Sequence, residues 1–182
     1  MEQKDYLAVS EQETPIGVLT LSVYQGRLCR IDFGPLAAKR ADIVRWAAKH
    51  DLPTVLRDEA AACTDAADQL TAFLSGKRKT FSLKLLMKGT EFQCKVWQAL
   101  IDIPYGTTRS YKEIARIVNR PKAVRAVGMA NNRNPLPIVV PCHRVIGTNG
   151  ALTGYAGGLG IKEYLLGLET KHGLESAAND SV

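Results

Sequence analysis

The sequence is poor in the residues that hold metals and close disulfides. It has three histidines and four cysteines in 182 residues, and no two cysteines stand as C-x-x-C. Neither a zinc site nor a thioredoxin-like motif is suggested, and no metal is expected. Cys29, Cys63, Cys94 and Cys142 are expected to be free thiols in a reducing compartment. Long apolar runs are missing as well, so no segment reaches the length needed to cross a bilayer. The opening residues, MEQKDYLAVSEQE, are too acidic and too polar for a signal peptide, and the expected location is the cytosol.

What is present reads as a folded chain. Hydrophobic residues make up 46% and charged residues 23%, which excludes disorder. The length suffices for one large domain or two small ones with real cores. Acidic residues show the sharpest local shortage. Residues 105–134 hold seven basic side chains (Arg109, Lys112, Arg116, Arg120, Lys122, Arg125, Arg133) against Glu113 alone, a net of +6 that equals the net charge of the whole chain. Residues 1–90, with 13 basic and 11 acidic side chains, are nearly balanced. A charge cluster is ordinarily a solvated face; concentration on so short a segment points to a polyanion partner.

Periodicity divides the chain. IGVLTLSVY (16–24) and RLCRIDF (27–33) read as strands joined at Gln25-Gly26, with Cys29, Ile31 and Phe33 on one face. Helical spacing follows over 39–50 and 57–75, where Cys63 falls on the apolar stripe. A second unit opens near Gly89, with Thr90 and Gln93 as a capping box for a helix carrying Val96, Trp97 and Leu100. Two short helical patterns, SYKEIARIV (110–118) and KAVRAVGMAN (122–131), then suggest a helix-turn-helix. The second is unusual for a base reader, since Ala123, Ala126, Gly128 and Ala130 are small and Arg125 is the one long polar side chain after Lys122. Small residues allow close approach to a narrow groove with little readout of base edges, which implies largely sequence-independent DNA binding.

In PIVVPCHRVIG (137–147) an apolar, β-branched run meets proline, cysteine and histidine. Read as a strand, Ile138–Val140 would deliver Cys142 to the rim of a sheet. Pro141 would turn the chain there, so that Cys142 and His143 need not point to opposite faces. The pair has two readings, a small hydrophobe beside a packed histidine or a nucleophile beside its base. Further on, Glu169 stands beside the stripe of Ile161, Leu165 and Leu168 in GIKEYLLGLE (160–169). It is either a structural ion-pair member or the carboxylate that orients a histidine, and spacing alone does not choose.

The motifs PCHRVIG (141–147) and TGYAGG (153–158), with GTEFQCKVWQALIDIPYGTTRSY (89–111), RPKAVRAVG (120–128), NRNPLPIVVPCHRV (132–145) and KEYLLGLE (162–169), resemble the O6-alkylguanine-DNA alkyltransferases. These are also called methylated-DNA–protein-cysteine methyltransferases. The likeness covers most of 89–170 and is loose before that. It implies an α/β (α+β) fold: a small sheet-plus-helix, RNase H-like domain over 1–85, then a mostly helical DNA-binding and alkyl-transfer domain over 86–172. A flexible tail would follow over 173–182. It further implies a single-use repair protein, monomeric and needing no cofactor, whose partner is double-stranded DNA containing alkylated bases.

Carried over position by position, Cys142 would accept the alkyl group, His143 would act as base through water, and Glu169 would orient His143. Asn134 would brace the turn before the cysteine. Arg125 would fill the gap left by a flipped nucleotide, and Tyr111 would help rotate the base and donate a proton toward guanine N3. Tyr155 would wall the base pocket. The carbonyls of Cys142 and Val145 would accept from the exocyclic amine, and the backbone N–H of Ala156 would donate to O6. Ala156 stands where some relatives have serine, so only the backbone donor survives there. A lesion-binding relative without chemistry would lack the cysteine of PCHR. A transcription regulator would need base-reading side chains, and a cysteine hydrolase would have no use for the basic segment.

Overall fold

In the computed structural model the chain is described from Asp5 to Asn179, with side chains as far as Gly173. Three antiparallel strands come first: β1 (Leu7–Thr14), β2 (Gly17–Tyr24) and β3 (Arg27–Phe33). Gln25 and Gly26 join the last two with φ of 49° and 71°, the left-handed pair that a two-residue hairpin turn requires. Helix α1 (Leu36–Lys49) then crosses to β4 (Leu56–Asp58), which pairs parallel to β1 and gives the sheet order β3-β2-β1-β4. Helix α2 (Ala60–Leu74) packs across β1 and β2.

One face of the sheet carries a small core of Leu7, Cys29, Ile43, Ala47 and Leu52 beneath α1. The other face merges with a much larger cluster that includes Leu21, Ile31 and Phe73 from the first half and Trp97, Ile138, Val140 and Leu165 from the second. Cys29 does not share a face with Ile31 as strict alternation predicts. Ser22 pairs with Arg30 and Val23 with Leu28, so Cys29 is the extra residue of a β-bulge and is turned to the α1 side. Strand β1 escapes the sequence pattern because only Leu7, Ala8 and Val9 are buried and the rest of the strand is largely polar.

The second half is built from helices that begin with strong local signals. Helix α3 (Glu91–Ile101) starts at the expected Thr90/Gln93 capping box, and α4 (Tyr111–Ile117) at an equivalent box of Ser110 and Glu113. Asn119, at a φ of 57°, turns the chain toward α5 (Val124–Asn132). Trp97 on α3 is buried and donates its indole N–H to the Ala130 carbonyl at 2.8 Å, locking α3 against α5. A two-residue parallel pair, β5 (Arg109–Ser110) with β6 (Val145–Ile146), ties the start of α4 to the chain just after Cys142. Helix α6 (Leu159–Asn179) closes the fold, so the tail expected over 173–182 is helical as far as Asn179 and lies outside the described residues beyond it.

The outer edge of β3 is covered rather than open. The Leu28 N–H donates to the Lys84 carbonyl at 2.9 Å, the Leu86 N–H donates back to Leu28 at 2.9 Å, and the Ile31 N–H donates to Pro135 at 2.8 Å. The last of these bonds joins the N-terminal sheet directly to the segment that leads to Cys142.

Candidate active site

Residues 134–141 form a buried turn, not the strand that their β-branched run suggests. Pro135, Pro137 and Pro141 each lack an N–H, so no ladder can run through them. Asn134 supplies the alternative: its side chain accepts from the Leu136 N–H at 2.9 Å and donates to the Val140 carbonyl at 2.8 Å. Ile138 sits at a φ of 75°, unusual for a β-branched residue. Its side chain is fully buried, and packing holds it there. Asn134 thus ties the two ends of the turn before Cys142 together.

Cys142 therefore opens a single 3₁₀ turn (Cys142–Arg144) and does not stand at a sheet rim. Its thiol is buried, which pushes its pKa up to about 11, with the Asn134 side chain and the Lys162 charge opposing the rise. The resting sulfur is a protonated thiol. Its carbonyl accepts from the Val145 N–H and, at 3.4 Å, from the Asn131 side chain.

His143 is completely buried, and its Nε2 lies 2.6 Å from Glu169 Oε1. Burial lowers its pKa despite the carboxylate, so the imidazole rests neutral. With Nε2–H donated to Glu169, the lone pair belongs to Nδ1, which has no hydrogen-bond partner among the described residues. The Cys142 thiol makes no direct hydrogen bond to the ring.

Glu169 is itself tightly held. Burial raises its pKa, but His143 and Arg144 together outweigh that and keep the carboxyl below its usual range. Arg144 donates to both carboxylate oxygens, with contacts between 3.0 and 3.1 Å, and to the Ile103 carbonyl at 2.6 Å. The Gly106 N–H adds a bond to Oε2 at 3.0 Å. A buried carboxylate with an arginine fork, a backbone donor and an imidazole is fully satisfied. Both readings left open by the sequence hold at once, because Glu169 is an ion-pair member and it fixes the histidine.

Close to Cys142 lies the loop carrying Tyr155 and Ala156. Lys162, on the first turn of α6, is fully buried and donates to the Val145 carbonyl at 2.6 Å and to the Thr153 carbonyl at 2.8 Å. The Tyr111 hydroxyl reaches the same Thr153 carbonyl at 3.3 Å. One ammonium thus links the segment after Cys142 to the 153–158 loop and, through Thr153, to the start of α4. Tyr155 packs edge-on against Phe33 at 5.7 Å, and its buried hydroxyl has no partner among the described residues. Burial holds that phenol well above its usual pKa.

The sequence reasoning does not single out Arg144 or Lys162. Lys162 stands three residues before Leu165 and seven before Glu169, on the same stripe of α6, so the argument applied to Glu169 applies to it too.

Arg125 and Ala126 are exposed on α5, Ala123 is half-buried at its N-cap, and Gly128 faces the Tyr111 ring, where an added Cβ would lie 3.9 Å from it. Exposed Val124 and Met129 complete a face of small and apolar residues flanked by cations. The structure brings Asn134, Cys142, His143 and Glu169 into one buried constellation and sets Arg125 apart from it on the surface. No group of three or more His, Cys, Asp or Glu side chains among the described residues is placed to hold a metal.

Comparison with known proteins identifies the family. The family described as 6-O-methylguanine DNA methyltransferase, DNA binding domain, matches residues 91–171. A methylated-DNA–protein-cysteine methyltransferase of Methanosarcina barkeri is 49% identical over 157 residues, spanning 86% of this chain and 93% of that protein. The constitutive enzyme of Bacillus subtilis is 51% identical over 158 residues, spanning 86% and 92%. Among solved structures, Mycobacterium tuberculosis OGT in complex with DNA superposes with a TM-score of 0.77 at 40% identity, covering 92% of this chain and 94% of that one. The chain belongs to the methylated-DNA–protein-cysteine methyltransferase family.

Proposed function

We infer that this protein repairs alkylated DNA directly, by moving the alkyl group from guanine O6 to its own Cys142. The observation that carries the reading is the buried Cys142 thiol on a rigid 3₁₀ turn, backed by a neutral His143 locked to Glu169 and Arg144. An alkyl group on O6 lies inside the stacked duplex, so the nucleotide must be extruded, at a cost of about a few kcal/mol. Arg125, exposed on α5, fills the gap, and the small surface of Ala123, Ala126 and Gly128 lets the helix approach the groove closely.

Once the base is seated against Tyr155, its exocyclic amine donates to the carbonyls of Cys142 and Val145, and the Ala156 N–H donates to O6. The thiol proton passes through water to His143 Nδ1, and Glu169 stabilises the imidazolium that forms. Sulfur attacks the alkyl carbon in line as the carbon–O6 bond breaks. The guanine that leaves takes a proton from Tyr111 at N3. The product is a thioether with no easy hydrolytic exit, so each molecule acts once. Within this reading residues 86–172 carry the chemistry, residues 1–85 brace the turn at Pro135, and the protein works as a cytosolic monomer without cofactor. No helix among the described residues is long and apolar enough to cross a membrane.

The test is lesion counting under excess substrate. Duplex DNA containing O6-methylguanine should lose one lesion per protein molecule and then no more, and Cys142→Ala should remove none. Continued turnover, or repair by Cys142→Ala, would refute the assignment.

A further inference from the structure

A groove whose lining does not include Cys142 lies between the N-terminal unit and the helical half. It encloses about 650 Å³. Lys39, Trp46 and Lys49 of α1 line one side, and Lys88, just before α3, together with Arg133 at the end of α5 lines the other. Its acidic residues are already engaged. Asp32 is paired with Arg30 at 2.6 Å, and Asp42 is paired with Arg45. The side chains of Lys39, Lys49, Lys88 and Arg133 make no ion pair or hydrogen bond with any described residue. The groove therefore presents four uncompensated cations in one concavity. His50 on its wall feels the field: burial lowers its pKa, and the charges of Lys49, Lys88 and Arg30 lower it further.

Position narrows the choice of anion. Arg133 is the C-cap of α5, the helix that presents Arg125, and Ala156 of the substrate loop lies on the same groove's rim. Arg133 thus joins the end of α5 to the groove, so a polyanion lying along the helix meets a cation of the groove at its end. The balanced charge of residues 1–90 conceals this, because the fold brings Lys39, Lys49 and Lys88 to one groove.

We propose that this groove is a second DNA-backbone site, in which phosphates of the duplex flanking the lesion are held by Lys39, Lys49, Lys88 and Arg133. The proposal rests on the alkyltransferase reading and gives the N-terminal unit a direct part in binding. Each phosphate neutralised releases counterions, so the slope of log K against log salt steepens by about 0.9 per contact.

The test compares the full-length protein with K39Q/K49Q/K88Q; Arg133 is left intact because it adjoins Asn134. On a lesion duplex extended by one helical turn on each side, the triple variant should show a salt slope shallower by about 2–3 and at least tenfold weaker binding. On a short duplex centred on the lesion it should match the parent, and both should alkylate Cys142 with free O6-methylguanine base at the same rate. An unchanged slope and length dependence overturns the proposal, as does a loss confined to single-stranded DNA or an equal loss with the free base. Failure of both proteins to alkylate Cys142 from DNA would instead defeat the underlying reading, which keeps the two failures distinct.

Discussion

The two sides of Cys142 differ in how completely their polar groups are paired. On the carboxylate side, His143 Nε2, the Arg144 guanidinium and the Gly106 N–H all converge on Glu169. His143 Nδ1, the Tyr155 hydroxyl and the Asn131 side-chain oxygen, by contrast, are buried without partners among the described residues. A buried polar atom with no partner costs about 1–3 kcal/mol, and proteins keep such atoms where function uses them. One set of groups is therefore a fixed support, and the other keeps donors and acceptors unused. Rigidity behind the nucleophile and polar capacity in front of it are separate properties, held by different residues.

Breaking the paired side should have the largest effect. Glu169→Gln removes the charge that Arg144 faces and that would stabilise an imidazolium at His143, and it replaces one acceptor oxygen with an NH2 donor. Leaving a buried charge unpaired costs about 3–5 kcal/mol, read as a lowered melting temperature. Methyl transfer should slow by about 10²–10³-fold, from the lost general-base function. A variant that melts lower but transfers at the parental rate would reduce Glu169 to a structural role.

Lys162→Met tests the strut between the sides. It removes two charge-assisted bonds, each worth about 1.5–3 kcal/mol, and frees the 153–158 loop from the segment after Cys142. Transfer from duplex DNA should fall by roughly tenfold or more, on the scale of one such bond. Amide exchange at residues 153–157 should rise while exchange at Cys142–Arg144 stays slow. Uniformly faster exchange would mean that Lys162 holds the whole fold rather than the loop.

The pH response is smaller, and its sign is set by the buried imidazole. The folded pKa of His143 is depressed below its ordinary 6.5, so the unfolded chain binds the extra proton first. Stability from this group is complete above that value and is lost as pH falls through it. Transfer should decline over the same acid range, because the base must be neutral. A titration of melting temperature and rate from pH 8 downward checks both, and a rise in either on acidification contradicts the neutral His143.

Tyr155→Phe should cost least. Its hydroxyl bonds to no described residue, so its removal should not lower stability and should raise it by at most about 1–3 kcal/mol, in contrast to Glu169→Gln. A large loss of stability would show that the substrate side is paired as firmly as the support.

Local signals in the sequence locate much of this. The Thr90/Gln93 box sets the start of α3, and Gln25-Gly26 sets a hairpin, because both depend on residues within a few positions of one another. Long-range features are lost. Cys29 faces the other core because a bulge depends on which strand it pairs with, which alternation within β3 cannot reveal. Ile138–Val140 resembles a strand by propensity, yet three prolines and the Asn134 side chain make it a turn. The catalytic assignments for Cys142, His143 and Glu169 come from motif resemblance, whereas Arg144 reads as one more cation until Glu169 is seen across from it. The gathering of Lys39, Lys49 and Lys88 beside Arg133 is likewise a property of the folded chain.

The central claim is that Cys142, alone among four cysteines, is the alkyl acceptor. Cys94 is the informative control, being partly exposed where Cys142 is buried. The protein should be mixed with an equal amount of duplex DNA containing O6-methylguanine, digested, and each cysteine peptide weighed. The account expects one methyl group on the Cys142 peptide and none on the peptide carrying Cys94. A methyl group on Cys94, or an unmodified Cys142 after the lesion has disappeared, would contradict it.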